Sequence, residues 1–246
     1  MLKVFGLLNS LFAGFVIILF MGTAVLRLFL YTTILRRKET DVMVQMGHEY
    51  GRLIMFLSKS NLVVEGLTVF DSLPAGRRIF IVSNHESYLD IPCVLLNSPY
   101  PVGFIAKSEL GRIPLLGYWI KKTGGVLFNR NDMRRAKETL ENTVSSQATD
   151  RAVLIFPEGT RNKEGTVAPF KAGSIRIAIE SDAIILPVAM AGARKKLEGN
   201  GWIVKRGDIK MRFMQPIDTR TVDVSNKSQF AESLRNLILK AHQELS

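Results

Sequence analysis

The residues best suited to chemistry are His85 and Asp90, which lie in the segment Asn84-His85-Glu86-Ser87-Tyr88-Leu89-Asp90. A turn that leaves a strand and enters a helix would bring the Asp90 carboxylate back to the imidazole. The carboxylate would then fix the histidine tautomer and stabilise the imidazolium that forms when His85 takes a proton. The alternative is structural, with Ser87 or Asn84 capping the helix and His85 exposed in a surface loop.

A protein nucleophile is missing beside this pair. No serine occupies a Gly-x-Ser-x-Gly elbow. The single cysteine, Cys93, lies in the apolar run Ile91–Leu96, which is typical of a buried and unreactive thiol. One cysteine also excludes a disulfide framework and a cysteine-based zinc site. If His85 is a base, we therefore expect it to deprotonate a hydroxyl of the substrate, without a covalent enzyme intermediate.

Three further polar clusters each follow a predicted strand. They are Lys107-Ser108-Glu109, Asn129-Arg130 and Pro157-Glu158-Gly159-Thr160-Arg161. Ligands bind outside the carboxyl ends of strands in an α/β sheet, so parallel strands would bring all the clusters to one edge. Because arginine suits bidentate recognition of phosphate, the sequence predicts a site for an anionic substrate there. For the last cluster, a structural Glu158–Arg161 ion pair is an equal alternative.

The elements that must position these clusters begin at about Leu62, where short β-branched runs start to alternate with amphipathic stretches. This rhythm predicts an α/β sheet with helices on its faces. The predicted strands are Leu62–Glu65, Ile79–Ser83, Val102–Ala106, Val126–Phe128, Ala152–Phe156, Ile184–Met190 and Ile209–Phe213. The predicted helices are Ser87–Asn97, Leu115–Lys122, Asp132–Ser146, Gly173–Ser181 and Ser228–Leu245. No repeat or linker divides residues 61–246, which we expect to form one α/β domain.

The first 60 residues differ from the rest, because Val4–Val25 is almost unbroken apolar sequence. As a helix it would extend roughly 33 Å, about one hydrocarbon thickness. A cleaved signal peptide is the competing interpretation, but the apolar run is longer than an h-region and continues past Arg27 to Leu35.

A second helix is predicted after this run, with Met43, Met46, Tyr50 and Ile54 on one face. It could pack on the globular domain or lie in the membrane interface, and the two interpretations are compatible. We therefore expect residues 1–60 to form a membrane-associated helical hairpin.

The formal net charge of +11 indicates an anionic partner, which could be nucleic acid, a phosphorylated metabolite or an acidic membrane. Lys3 precedes the apolar helix, whereas Arg27 and Arg36-Arg37-Lys38 accompany its end. This asymmetry favours a cytoplasmic α/β domain if the helix spans, and an anionic cytoplasmic surface if it enters one leaflet. The apolar N-terminus and the absence of a recognition motif argue against a nucleic-acid partner.

The chain resembles the glycerolipid acyltransferase family, and most closely bacterial 1-acyl-sn-glycerol-3-phosphate acyltransferases. The resemblance covers about residues 80–190. Its four motifs match Asn84–Asp90, Gly125–Arg130, Phe156–Arg161 and Leu186-Pro187-Val188, and Lys107–Leu110 and Pro169–Gly173 also look like family features. Asn129 stands where aspartate is commoner in the family, so only Arg130 is carried over from that pair.

The resemblance implies a mixed, largely parallel sheet of the glycerolphosphate acyltransferase type. It implies that His85 is the general base and that Asp90 orients it. The glycerol phosphate would be held by Arg130 and by the loop Glu158-Gly159-Thr160-Arg161, with Lys107 as a further phosphate or oxyanion contact.

The same resemblance implies an acyl donor, either acyl-CoA or acyl-carrier protein, and lysophosphatidic acid as the acceptor in the bilayer. Acylation at the second carbon would give phosphatidic acid. We expect no metal or bound cofactor, because a thioester is already activated. The alternatives are the same chemistry on glycerol 3-phosphate or another lysolipid, and a non-catalytic module that binds anionic membranes. His85 and Asp90 argue against the module, since lipid binding needs no general base.

Overall fold

The computed structural model describes residues 2–128, 149–221, 223 and 225–246, with side chains from Gly14 onward. The strands are β1 (Ser60–Glu65), β2 (Ile79–Ser83), β3 (Val102–Lys107), β4 (Val126–Phe128), β5 (Ala152–Ile155), β6 (Ile184–Ala191), β7 (Gly207–Phe213) and β8 (Ile217–Asp218). The α-helices are α1 (Leu2–Phe29), α2 (Glu39–Leu57), α3 (Asp90–Asn97), α4 (Leu116–Lys122), α5 (Ala172–Glu180) and α6 (Lys227–Leu245).

The strands of this described part form one 8-stranded sheet in the order β1-β7-β6-β2-β5-β3-β4, with β8 beside β6. Neighbouring strands from β6 through β2, β5 and β3 to β4 are parallel, and β7 and β8 run antiparallel to β6. The prediction of a mixed, largely parallel sheet is therefore confirmed. The strands β2, β5 and β6 are buried on both faces, which explains their continuous apolar sequence.

Successive residues of the central strands face opposite layers of helices. Ile81 and Leu154 pack in the layer that contains α2 and α3. Phe80 and Val82 pack in the other layer, which contains α5 and α6. Because β2, β3 and β5 are parallel and buried between these layers, the segments that follow them emerge at one edge of the sheet. This edge carries the predicted polar clusters at residues 84–90, 107–109 and 157–161.

The predicted elements agree with the observed ones to within about two residues for most strands and helices. The largest difference is in α3, which begins at Asp90 instead of Ser87. The backbone N–H groups of Glu86 and Ser87 bind the Asp90 carboxylate, so residues before Asp90 form a turn. The short β8 was not predicted, because two residues after Pro216 show no periodicity. The predicted helix Asp132–Ser146 lies outside the described residues.

The N-terminal region consists of α1, a π-helical turn at Leu30–Ile34, and α2. By length and composition, Gly14–Ile34 could cross a membrane, and only 11% of its most apolar window is buried in the molecule. Arg27 of α1 forms an ion pair with Glu49 of α2 at 2.6 Å. A long apolar first helix was predicted and is present. The two-helix membrane anchor and the domain boundary after residue 60 remain predictions.

The second helix packs on the globular domain, which was one of its two interpretations. Gly51 allows the close approach, since a Cβ there would lie 2.6 Å from the Leu96 Cβ of α3 and 2.7 Å from the Pro92 carbonyl oxygen. Its residues Ile54 and Met55 join the core that covers the sheet. This contact fixes α2, and α1 beside it, next to the edge where the polar clusters lie.

Candidate active site

The turn that follows β2 is anchored at its first residue. Asn84 is fully buried, and its side chain exchanges two hydrogen bonds with the backbone of Met190 in β6, each 2.8 Å long. Asn84 is therefore a bridge between neighbouring strands and not a helix cap, so this part of the structural alternative is wrong. The bridge fixes the point at which the chain leaves the sheet before His85.

His85 and Asp90 are joined by a hydrogen bond of 2.7 Å between Nδ1 and Oδ2. The same carboxylate oxygen accepts the backbone N–H groups of Glu86 and Ser87 at 2.8 and 2.9 Å. Asp90 stands at the first position of α3 and is 0% exposed. The predicted return of Asp90 to the imidazole is confirmed. With Nδ1 assigned as the donor to the carboxylate, Nε2 makes no hydrogen bond to any described residue.

The electrostatics of the pair follow from the burial of the carboxylate. Burial raises the pKa of Asp90, and the hydrogen bond and charge of His85 act in the opposite direction. An ionised Asp90 is therefore stabilised most when positive charge develops on the neighbouring ring. This is the arrangement that a general base requires, because the ring becomes an imidazolium when it takes a proton.

The position of the His85 ring is fixed from two further sides. The ring stacks on Phe156 with centroids 3.9 Å apart and an interplanar angle of 14°. The His85 backbone N–H donates to Glu158 Oε1 at 2.8 Å, and its carbonyl accepts from the Asn162 N–H at 2.7 Å. The turn after β5 therefore holds the turn after β2, and Nε2 is left as the only ring nitrogen without a hydrogen bond to the described chain.

Glu158 helps to position the turn that carries His85, because both oxygens of its carboxylate accept hydrogen bonds from backbone N–H groups. It is 4% exposed, and its second oxygen accepts the Ala168 N–H at 3.1 Å. Burial raises the pKa of Glu158, and the two backbone hydrogen bonds counteract that rise. Glu158 and Arg161 are both described and form no ion pair with each other, so the alternative of a structural ion pair is wrong. A contact of Glu158 with the substrate remains a prediction, and the observed contacts give it a positioning role.

Arg161 pairs instead with Glu198, a contact that the sequence did not predict. The distance between Nη1 and Oε1 is 3.3 Å, and the guanidinium lies 3.7 Å from the centre of the Tyr88 ring. Glu198 also accepts hydrogen bonds from the Ser87 hydroxyl at 2.6 Å and the Tyr88 N–H at 2.8 Å. One feature of the sequence could have indicated this contact: Glu198 is the only acid in the strongly basic stretch 194–206.

A second contact that the sequence did not predict joins the turn after β2 to α6. His242 Nε2 lies 2.7 Å from Glu86 Oε1, and both residues are 4% exposed. The signal was the position of His242 on the apolar face of α6, four residues after the buried Ile238. A polar residue on an apolar face needs a partner, but the sequence does not say which one.

The remaining predicted site residues that the structure describes lie around one cavity of about 700 Å³. Lys107 is exposed at the end of β3, Gly159 forms a tight turn with φ +71°, and Thr160 is exposed beside it. These three residues border the cavity together with His85 and Arg161. Arg130 lies outside the described residues, as does Asn129.

The rest of the cavity is mostly apolar. Its lining includes Phe20 and Ala24 of α1, Met43 and Tyr50 of α2, Leu95 of α3 and Ile120 of α4. The cavity therefore connects the polar edge of the sheet to the N-terminal helices. A space with one apolar wall and one cationic end suits a ligand that has a hydrocarbon chain and an anionic head.

The known proteins that this chain resembles are acyltransferases. A family model described as Acyltransferase matches residues 64–191. A chloroplastic 1-acyl-sn-glycerol-3-phosphate acyltransferase of Brassica napus is 32% identical over 161 residues, which are 64% of this chain and 46% of that protein. The 1-acyl-sn-glycerol-3-phosphate acyltransferase of Saccharomyces cerevisiae is 28% identical over 176 residues, which are 70% of this chain and 57% of that protein. The match thus spans about half the length of these curated relatives.

A similar solved structure is the crystal structure of the 1-acyl-sn-glycerophosphate (LPA) acyltransferase, PlsC, from Thermotoga maritima. The TM-score is 0.81 at 27% sequence identity, and the match covers 100% of this chain and 98% of that one. The resemblance carried by the four motifs is therefore confirmed, and it extends to the fold.

The Glu86–His242 pair should contribute to stability. We expect His242→Ala to lower the free energy of unfolding by about 1–3 kcal/mol, because Glu86 would be left buried without its partner. Lys240→Ala, an exposed change on the same helix, should stay within about 0.5 kcal/mol of the parent. Urea unfolding in detergent measures both, and equal effects of the two variants would show that the pair contributes nothing.

Proposed function

The chain belongs to the acyltransferase family, and from this premise we propose that it acylates lysophosphatidic acid to phosphatidic acid in phospholipid biosynthesis. The acyl chain comes from acyl-CoA or acyl-carrier protein and is transferred to the sn-2 hydroxyl. The observation that carries the proposal is the 2.7 Å contact between His85 and the buried Asp90 at the polar end of an apolar cavity. The names of the similar proteins support the choice of acceptor.

The proposed reaction is a direct transfer. His85 Nε2 takes the proton of the lipid hydroxyl while its oxygen forms a bond to the thioester carbonyl carbon. Collapse of the tetrahedral intermediate breaks the carbon–sulfur bond, and the leaving thiolate takes the proton from the imidazolium. Asp90 holds Nδ1 throughout and stabilises the positive ring. Cys93 is fully buried, and burial raises its pKa, so it is unsuited to act as a nucleophile.

The cavity supports the proposed assignment of the substrate parts. Its apolar walls would hold a hydrocarbon chain, while Lys107 and Arg161 at the polar end would bind phosphate. Arg130 is proposed as a further phosphate contact on the strength of the motif alone. Gly159 and Thr160 border the same end and would contact the head group.

The proposed setting is the cytoplasmic face of the cell membrane. The apolar helix α1 supports association with the bilayer. Arg36-Arg37-Lys38 follow its end and would be attracted to anionic lipid phosphates on that face. Because residues of α1 line the cavity, a lipid acceptor could reach His85 without leaving the membrane surface.

The decisive experiment gives purified protein labelled acyl donors and a panel of acceptors that contains glycerol 3-phosphate and several lysolipids. We expect transfer to lysophosphatidic acid and a loss of roughly 10²–10⁴-fold in His85→Ala, because the general base is removed. Cys93→Ala serves as the control and should retain turnover, since no acyl-cysteine forms. Undiminished turnover in His85→Ala would contradict the mechanism, and preference for another acceptor would contradict the assigned substrate.

Loss of the Arg161 side chain should affect recognition of the phosphate more than the chemical step. We expect Arg161→Ala to raise KM for lysophosphatidic acid by roughly tenfold or more with a smaller change in kcat, because the phosphate is unchanged during the reaction. Arg176→Ala removes an exposed arginine from α5 and should leave both constants unchanged. Steady-state kinetics test this, and normal KM with reduced thermal stability would mean that Arg161 is only structural.

A further inference from the structure

The segment between β6 and β7 forms a surface with one sign of charge. We call residues 194–206 the basic loop. Its cations are Arg194, Lys195, Lys196, Lys205 and Arg206. Its one acid, Glu198, is turned inward with 5% of its side chain exposed and pairs with Arg161. No described residue forms an ion pair with any of the five cations. The outward charge of the loop is therefore entirely positive.

The tip of the basic loop is apolar and exposed. Trp202 is 54% exposed and Ile203 is 44% exposed. Trp202 has φ +66°, a left-handed conformation that is costly for a bulky side chain. The turn is held by hydrogen bonds from the Trp202 N–H to the Leu197 carbonyl at 3.0 Å and from the Asn200 side chain to the Ile203 carbonyl at 2.9 Å. The fold thus maintains a strained turn that leaves two large apolar side chains in solvent.

The loop tip lies beside the candidate active site. The ring of Trp202 is 5.7 Å from that of Tyr88, which in turn covers the Arg161 guanidinium at 3.7 Å. Tyr88 borders the apolar cavity, which is also lined by Phe20 and Met21 of α1. The basic loop therefore lies at the cationic end of the cavity that α1 also borders.

We propose that the basic loop is a second membrane contact, in which Trp202 and Ile203 enter the interface of an anionic bilayer. Tryptophan is favoured at the boundary between head groups and hydrocarbon, where its ring is apolar and its N–H is solvated. The exposed Lys195, Lys205 and Arg206 flank the tip and bind lipid phosphates. This contact is separate from α1 and holds the cationic end of the cavity against the surface from which a lipid arrives.

An acidic protein partner would also be attracted to these cations. The exposed indole and the aliphatic Ile203 favour the bilayer, because an electrostatic protein contact does not need a strained apolar tip. The inference goes beyond the proposed reaction and does not require it. A chain that transfers no acyl group but places Trp202 in the bilayer would contradict the proposed function and support this contact.

The test uses the full chain in vesicles of phosphatidylcholine and phosphatidylglycerol whose acyl chains are brominated. The protein has 2 tryptophans, so the difference in emission between the parent and Trp202→Phe isolates the signal of Trp202. We expect bromine to quench this signal in the anionic vesicles and less in vesicles of phosphatidylcholine alone. Lys205→Gln with Arg206→Gln should shift the equilibrium of the inserted loop by roughly 30-fold and reduce the quenching.

The matched control removes two charges at the opposite edge of the sheet. Arg220 follows β8, which pairs with the start of β6, and Lys227 binds Glu180 at the end of α5. Arg220→Gln with Lys227→Gln should leave the quenching of Trp202 unchanged. An equal loss of quenching in both pairs of variants would mean that the overall charge of the protein controls membrane insertion. This result would overturn the assignment to the basic loop.

A second measurement covers the case in which Trp202→Phe fails to fold. Ile203→Cys can be labelled selectively with an environment-sensitive dye, because Cys93 is 0% exposed. We expect a blue shift of the dye on anionic vesicles. Unquenched Trp202 and an unshifted dye would overturn the proposal. So would a response to soluble acyl-carrier protein in place of vesicles, which would identify a protein partner.

Discussion

Three N–H groups point at one oxygen of Asp90: those of Glu86 and Ser87 in the backbone and that of the His85 ring. Removing a carboxylate from water costs several kcal/mol, and these donors offset part of that loss. Oδ1 of Asp90 has no hydrogen-bond partner among the residues described. The turn must therefore keep the geometry that serves Oδ2. That geometry determines where α3 begins and how the imidazole is oriented.

The other acids near the site act in the same way. Glu158 binds two backbone N–H groups, Glu198 binds a hydroxyl and a backbone N–H, and Glu86 binds His242. Each of these side chains is at most 5% exposed. The acids thus hold the turns together from inside. The cations Lys107 and Arg161 are left at the cavity, where they give a positive surface to a site whose floor contains several carboxylates.

The sequence predicted the features that depend on contacts between residues close together in the chain. The β2 and β4 boundaries follow from short apolar runs that end at polar residues. The His85–Asp90 contact spans five residues and was also predicted. The start of α3 was predicted too early, because the propensity of Ser87 for a cap does not reveal that its N–H binds Asp90.

Contacts between distant segments could not be predicted in the same way. Ser87 and Glu198 are 111 residues apart, and Glu86 and His242 are 156 apart. No periodicity or motif specifies such partners. The spacing of Glu158 and Arg161 also allowed an ion pair between them, whereas each has a different partner in the fold. A motif therefore indicated which residues gather at the site but not which of them contact each other.

We propose that the buried Asp90 makes His85 a base for direct transfer. Single-turnover kinetics of Asp90→Asn, with lysophosphatidic acid and a labelled acyl thioester at saturation, test it most directly. We expect a rate lower by roughly 10²–10⁴-fold with the fold and lipid binding retained, because the ring loses its orientation and its counter-charge. A folded Asp90→Asn protein that transfers the acyl group at the parent rate would contradict it.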